Sequence, residues 1–219
     1  MKKRSFQSCQ LYVIVDGAVL AGRDPAEVAE AAVRGGADAI QWRDKTASGP
    51  DFLKKARAIR EAARLLGAVF IVNDRVEAAL QAQADGVHVG HEDLPVRQVR
   101  SLVGESMLIG RSTHSLEEAL EAERAGADYI GVGPVFRTPT KPDYKVVGTG
   151  LVKQIAVSRI QIPWVAIGGI DLQSLPLVLS AGAIGVAVVR AVAGASDPEK
   201  AAYAFKTHIL DSETSRKAS

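Results

Sequence analysis

The stretch Gly36-Ala37-Asp38-Ala39-Ile40-Gln41-Trp42-Arg43-Asp44-Lys45 decides the fold. It opens on a glycine suited to a left-handed helix C-cap. A short apolar run of strand length follows, and the run ends in polar and charged residues. The passage recurs. Gly126-Ala127-Asp128 and Gly182-Ala183 mark the same step from helix to strand. Polar groups also follow apolar runs at Asn73-Asp74, from His88 through Asp93, and at Thr138-Pro139-Thr140-Lys141.

Working outward, strands are expected at 11–15, 39–42, 69–72, 86–89, 107–110, 129–132, 164–167 and 185–189. Helices are expected at 26–34, 52–66, 75–81, 95–102, 116–124, 151–157, 172–179 and 198–209, the first with Asp24 as N-cap and Pro25 in its first turn. Such a chain of β/α units implies parallel strands joined by right-handed crossovers. An open doubly wound sheet gives the same alternation. The number of units, and the lack of a dinucleotide Gly-rich fingerprint after the first strand, favour a closed single (β/α)8 TIM barrel. In that architecture the strand C-terminal ends carry the chemistry. Residues 1–10 read as an N-terminal extension, 11–210 as the barrel and 211–219 as a polar tail expected to fray.

The chain has 219 residues, 47% of them hydrophobic and 24% charged, which suits one globular domain with a sizeable core. A net charge of +2 is too mild to argue for nucleic acid, and no dense basic stripe with interleaved aromatics supports it. The single cysteine, Cys9, excludes an intrachain disulfide and a cysteine metal site. No apolar signal core follows the basic start, and no apolar run approaches the roughly 20 residues that cross a bilayer. These features read as a cytoplasmic protein.

The polar exits suit a polyphosphate held with a divalent cation. Asp74 and Asp93 follow neighbouring strands, and hard carboxylate oxygens with open water positions suit Mg²⁺. Each also has a plainer reading, Asp74 as a helix N-cap and Asp93 as a cap or turn before Pro95. Arg43 and Lys45 are two apart and reach the same side of an extended chain, where they would grip phosphate oxygens. A solvated charged loop is the plainer account. Gln41 lies in a strand, and a buried amide must find partners. Ser112 and His114 follow the fifth strand, His114 suiting a cap for the next helix. The Thr138-to-Lys141 loop offers hydroxyls, N–H groups and an ammonium to an anion. Gly168-Gly169 and the end of the eighth strand match the phosphate site that many barrels build there. His88 reads as a satisfied core histidine. Asp16 shows no partner in the sequence and is assigned no role.

Taken together, these stretches resemble the thiamine phosphate synthase family over nearly the whole chain, from Leu11 to Phe205. Gln41-Trp42-Arg43-Asp44-Lys45 is similar to the family's Gln-x-Arg-x-Lys segment. Asn73-Asp74, Gly86 to Gly90 with Asp93, Ile109 to Ser112 with His114, and Thr138-Pro139-Thr140-Lys141 match in order and spacing. The resemblance implies that Gln41, Arg43, Lys45, Asn73, Ser112 and Lys141 hold an aminopyrimidine diphosphate. Trp42 and Asp44, in the same segment, are expected to bind substrate with them. It implies that Asp74 and Asp93 ligate Mg²⁺, and that Thr138, Pro139, Thr140, Gly169, Val189 and Arg190 hold a thiazole phosphate. Arg43, Lys45, Lys141 and Ser112 carry the catalytic expectation. Arg190 departs from the family, which usually has Ser there. The implied reaction is a dissociative substitution that yields thiamine phosphate and diphosphate and needs no strong general base. The partners implied are these two small molecules, with no nucleic acid and no membrane, and there is room for a homo-oligomer. The alternatives are a thiazole tautomerase of the same superfamily, with His114 as proton carrier, and a non-catalytic phosphate-ligand-binding barrel.

Overall fold

The computed structural model describes residues 5–140 and 144–217. Eight parallel strands close into a barrel in sequence order. They are β1 (Leu11–Asp16), β2 (Ala39–Arg43), β3 (Val69–Asn73), β4 (Gly86–Val89), β5 (Leu108–Thr113), β6 (Tyr129–Val132), β7 (Trp164–Ile167) and β8 (Val186–Val188). The helices between and after them are α1 (Pro25–Arg34), α2 (Gly49–Leu65), α3 (Val76–Gln81), α4 (Val96–Val103), α5 (Leu116–Arg124), α6 (Gly148–Ala156), α7 (Leu175–Ser180) and α8 (Pro198–Lys217). The (β/α)8 expectation is met.

Local chemistry explains the element ends. Asp24 caps α1 by accepting from the N–H groups of Ala26 and Glu27, and Pro25 opens the first turn. Gly36, Gly126 and Gly182 each take a positive φ just past a helix, as a left-handed C-cap requires. Two bounds differ from expectation. β5 runs on to Thr113, so Ser112 lies on the strand. Helix α8 continues to Lys217, so the polar stretch from Asp211 extends a helix where fraying was expected.

The core has two layers because strand side chains alternate. One set faces outward against the helices and includes Leu11, Ile40, Trp42, Phe70, Val87 and Ile130. The other set fills the barrel interior and includes Tyr12, Ile14, Val69, Ile71, Leu108, Tyr129 and Val165. Phe6, from the segment before β1, joins the interior set and is 3% exposed. Its ring stacks on Tyr129 at 3.8 Å and meets Tyr12 edge-on at 5.4 Å. Part of the N-terminal extension thus belongs to the barrel core. Among the described residues, no helix is long and apolar enough to cross a membrane.

Candidate active site

Strand parity decides which side chains reach the barrel mouth. The inward series on β1 to β5 brings Ile14, Gln41 with Arg43, Asn73, His88 and Ser112 toward the mouth. All of these line one cavity of about 440 Å³. The far wall comes from β6 to β8 and their exits, with Thr138, Pro139, Thr140, Gly169, Val189 and Arg190. Residues expected from distant parts of the sequence therefore meet at one mouth.

Trp42 is the exception. One position from Gln41, it points the other way. Its indole is 1% exposed and packs on Phe52 at 5.6 Å between strand and helix. The expected contact of its side chain with a ligand is corrected on that ground: it is core, not pocket.

Arg43 pairs with Asp16, which is 2% exposed. The two residues are register partners on β1 and β2. Asp16 also accepts from the Ala18 N–H at 3.0 Å. The carboxylate left without a role in the sequence thus anchors the guanidinium expected to meet phosphate. Adjacent strand ends with equal inward parity were the signal that would have found it.

Beside the main cavity lies a smaller hollow of about 180 Å³, lined by Asp44, Lys45, Asn73, Asp74 and Arg75. Asn73 lines both spaces and joins them. Lys45 Nζ stands 3.9 Å from an Asp74 oxygen. Asp44 organises its own loop, Oδ1 accepting from the Thr46 N–H, the Thr46 hydroxyl and the Ala47 N–H at 2.8, 2.8 and 2.9 Å. Partial burial pushes its carboxyl up, but those hydrogen bonds bring it below the usual range. Arg75, missed in the sequence, braces the same loop through the carbonyls of Asp44 and Ala47 at 3.1 and 2.9 Å. Its guanidinium also lies 4.4 Å over the Phe52 ring.

The plainer reading of Asp74 fails. Arg75 occupies the N-cap position of α3 and makes no side-chain cap bond there. Asp74 instead sits at φ 59, a left-handed conformation that Asp tolerates better than most residues and that concentrates at functional sites. Asp93 closes a turn, its Oδ2 accepting from the Gly90 N–H at 2.6 Å. Burial first, then the negative fields of Glu92, Asp93, Asp74 and Glu118, raise the Tyr144 phenol above its ordinary value. Carboxylates from two loops and the first turn of α5 therefore act on one phenol at the mouth. Hard oxygen donors of this kind fit Mg²⁺, which takes one or two carboxylates and completes its shell with water and substrate phosphate. Among the described residues, no cluster of three or more His, Cys, Asp or Glu forms an all-protein metal cage.

On the opposite rim, Thr138 Oγ1 accepts from the Thr140 N–H at 3.3 Å. The Thr140 hydroxyl is buried without a partner among the described residues. Lys141 lies outside the described residues. Gly168 and Gly169 take φ of 103 and 65. A Cβ on Gly169 would stand 2.6 Å from the Arg137 carbonyl, so only glycine lets the β7 exit lie against this loop. The β8 exit turns sharply, with the Ala193 N–H bonding the Val189 carbonyl at 2.8 Å. Arg23, from the loop before α1, secures that turn by donating to the carbonyls of Ala193 and Ala195 at 2.5 and 2.7 Å. Arg190 lines the cavity and is exposed.

The two histidines differ. His88 is hydrogen-bonded on both ring nitrogens, to the Tyr129 hydroxyl at 3.1 Å and to Ser112 Oγ at 3.0 Å, as a satisfied core histidine should be. His114 does not cap α5. Ser115 does, accepting from the Glu118 N–H at 3.1 Å. His114 Nδ1 bonds the Gly133 carbonyl, and its Nε2 is buried without a partner among the described residues.

Comparisons with known proteins agree with this geometry. The family model described as thiamine monophosphate synthase matches residues 11–192. A thiamine-phosphate synthase of Shouchella clausii is 46% identical over 197 residues, covering 90% of this chain and 94% of that one. Another, of Chloroflexus aurantiacus, is 46% identical over 210 residues and covers 95% of each chain. Among solved structures, a thiamine phosphate pyrophosphorylase from Pyrococcus furiosus superposes with a TM-score of 0.86 at 39% identity, covering 94% of this chain and 98% of that one.

Proposed function

The chain belongs to the thiamine monophosphate synthase family, and on that basis we propose that its cavity joins 4-amino-5-hydroxymethyl-2-methylpyrimidine diphosphate to 4-methyl-5-(2-phosphoethyl)thiazole, releasing thiamine phosphate and diphosphate. One observation carries this reading. A single cavity is flanked by two separate anion-seeking regions: the Lys45, Asn73 and Asp74 hollow on one side, and the Thr138, Thr140, Gly169 and Arg190 rim on the other. Two phosphorylated substrates meeting ring to ring need that layout.

Gln41, Arg43, Lys45, Asn73, Ser112 and Lys141 hold the pyrimidine diphosphate in this reading. Thr138, Thr140, Gly169 and the Val189–Arg190 backbone hold the thiazole phosphate. Asp74 and Asp93 would hold Mg²⁺, which when bound would neutralise charge on the departing diphosphate. The cations of the chain do the same from fixed positions, and preorganised charge of this kind is commonly the largest catalytic contribution. The thiazole nitrogen attacks with a lone pair and has no proton to lose, so no general base is needed. The apolar inner wall, with Ile14, Val165 and Ile167, excludes the water that would otherwise capture the pyrimidine cation. We place the activity in the cytoplasm, because both substrates are charged phosphates that do not cross a bilayer unaided.

The test is an assay of thiamine phosphate and diphosphate from the two substrates with Mg²⁺. Equal release of both products is expected. Binding of both substrates with no product would support the non-catalytic barrel, and thiazole isomerisation without diphosphate release would support the tautomerase.

A further inference from the structure

Five side chains form a continuous hydrogen-bonded series across the barrel interior. Gln41 Nε2 donates to the Tyr12 hydroxyl at 2.6 Å, and the Tyr12 and Tyr129 hydroxyls stand 3.0 Å apart. Tyr129 reaches His88 Nδ1 at 3.1 Å, and His88 Nε2 reaches Ser112 Oγ at 3.0 Å. Both ends of the series line the cavity. Tyr12 and His88 also border the cavity, but little of the middle reaches solvent: Tyr12 is 1% exposed, His88 8% and Tyr129 0%. Space for it is built in, since a Cβ on Gly110 would stand 2.1 Å from the Tyr129 ring and 2.4 Å from His88 Nδ1.

We propose that this series is one polarised chain, in which the orientation of the Gln41 amide fixes the direction of every proton as far as Ser112. Each hydroxyl has one hydrogen to donate, and a neutral imidazole donates from one nitrogen and accepts at the other. With the Gln41 N–H given to Tyr12, the Tyr129 hydroxyl is the one hydrogen-bonded partner left to take the Tyr12 hydrogen, so Tyr12 donates to Tyr129. Tyr129 then donates to His88 Nδ1, and His88 donates from Nε2 to Ser112. Ser112 is left with its own hydrogen for the cavity. The same arrangement turns Gln41 Oε1 toward the cavity as an acceptor. Tyr12, Tyr129 and His88 are positioning residues, acting through the two end groups.

The consequence for ligand choice rests on the proposed function. An acceptor at Gln41 and a donor at Ser112 fit a ring edge that offers an amine N–H and a ring-nitrogen lone pair. A 4-oxo ring offers a carbonyl and a ring N–H, the reverse pattern, and meets the chain with the wrong polarity at both ends. Sites built to hydrogen-bond a polar group discriminate strongly against a ligand that leaves buried groups unpaired.

Two measurements test this. ¹⁵N-histidine NMR reads the tautomer of His88, which is expected to carry its proton on Nε2. Gln41→Glu, recorded at pH 9 with the new carboxylate ionised, presents only acceptors to Tyr12 and so reverses the chain. His88 should then carry its proton on Nδ1, although Gln41 does not touch it. In Gln41→Glu/Tyr129→Phe, the interrupted chain should give the same tautomer as Tyr129→Phe alone. An Nδ1-protonated His88 in the native protein, or a tautomer indifferent to Gln41→Glu, overturns the proposal. The second measurement compares kcat/KM for the amino and the 4-oxo pyrimidine diphosphates. Tyr129→Phe frees Ser112 to accept, so the preference for the amino substrate should fall by about 10-fold or more. A purely structural defect would lower both rates alike, and that result overturns the selectivity role. The tautomer measurement reads the chain whatever ring the cavity takes, so failure of the substrate assignment is distinguishable from failure of the chain.

Discussion

At the scale of single residues, the Asp16–Arg43 pair changes how a familiar substitution should be read. Asp16 is 2% exposed and Arg43 only 13%. Removing one member of a buried pair strands the other charge, at a cost of roughly 3–5 kcal/mol. Arg43→Ala should therefore lose turnover by about 100-fold, the scale of one lost charge-stabilising donor, and should also unfold early. The double change Asp16→Asn/Arg43→Gln separates the two effects. It leaves no orphan charge, so thermal stability should return toward the native value while turnover stays low. Recovery of turnover along with stability would remove Arg43 from the leaving-group role. Asp93→Ala makes a different demand: the Mg²⁺ concentration for half-maximal rate should rise, and an unchanged titration would take Asp93 out of the metal shell.

At the scale of elements, the Gly-Ala-Asp echo has a purpose beyond the glycine cap. Asp38, just before β2, accepts from the N–H groups of Gln10 and Leu11 at the start of β1, both at 2.9 Å. Asp85, just before β4, accepts from Phe70 N–H on β3 at 2.9 Å. Asp128, just before β6, accepts from Ile109 N–H on β5 at 2.8 Å. Each carboxylate fastens the bottom of its own strand to the preceding one. Lys206 and Arg100 offset the charge of Asp38 and Asp128, at 2.8 and 2.6 Å. At the matching place before β8 the chain has Ile184, which is 50% exposed, so the staple is missing there. Asp128→Ala should leave the Ile109 N–H unpaired and cost about 1–3 kcal/mol. Thermal melting should show it as a fall on the order of 5 °C. An unchanged melting point would mean that water replaces the carboxylate without loss. The echo was visible in the sequence as helix ends, but its carboxylates bond residues far away in the chain, and no local pattern reports such a partner.

At the scale of the whole molecule, the alternation of apolar runs with amphipathic stretches was enough to read the barrel and the end that carries the site. Side-chain direction was not legible, for a physical reason. Barrel strands are buried on both faces and read as continuous apolar runs without period-two alternation, so nothing in Ile40-Gln41-Trp42-Arg43 announces that Trp42 faces the helices. The interior plug was hidden for a related reason: Phe6 precedes the first strand and looks like part of a loose extension. That closed interior has a measurable consequence at alkaline pH. Burial first holds the Tyr12 and Tyr129 phenols well above their ordinary value near 10. Below that pH the folded and unfolded chains bind the same phenolic protons, and these groups leave stability unchanged. As pH rises past it, the unfolded chain releases two protons that the folded barrel retains. Stability should then fall by up to about 2.7 kcal/mol per pH unit, twice the single-proton slope. The absorbance of Tyr12 and Tyr129 should appear only in step with unfolding. A smooth titration of these two in a chain that keeps its native dichroism would show that water enters the barrel interior freely, and the buried hydrogen-bonded series could not then hold its direction.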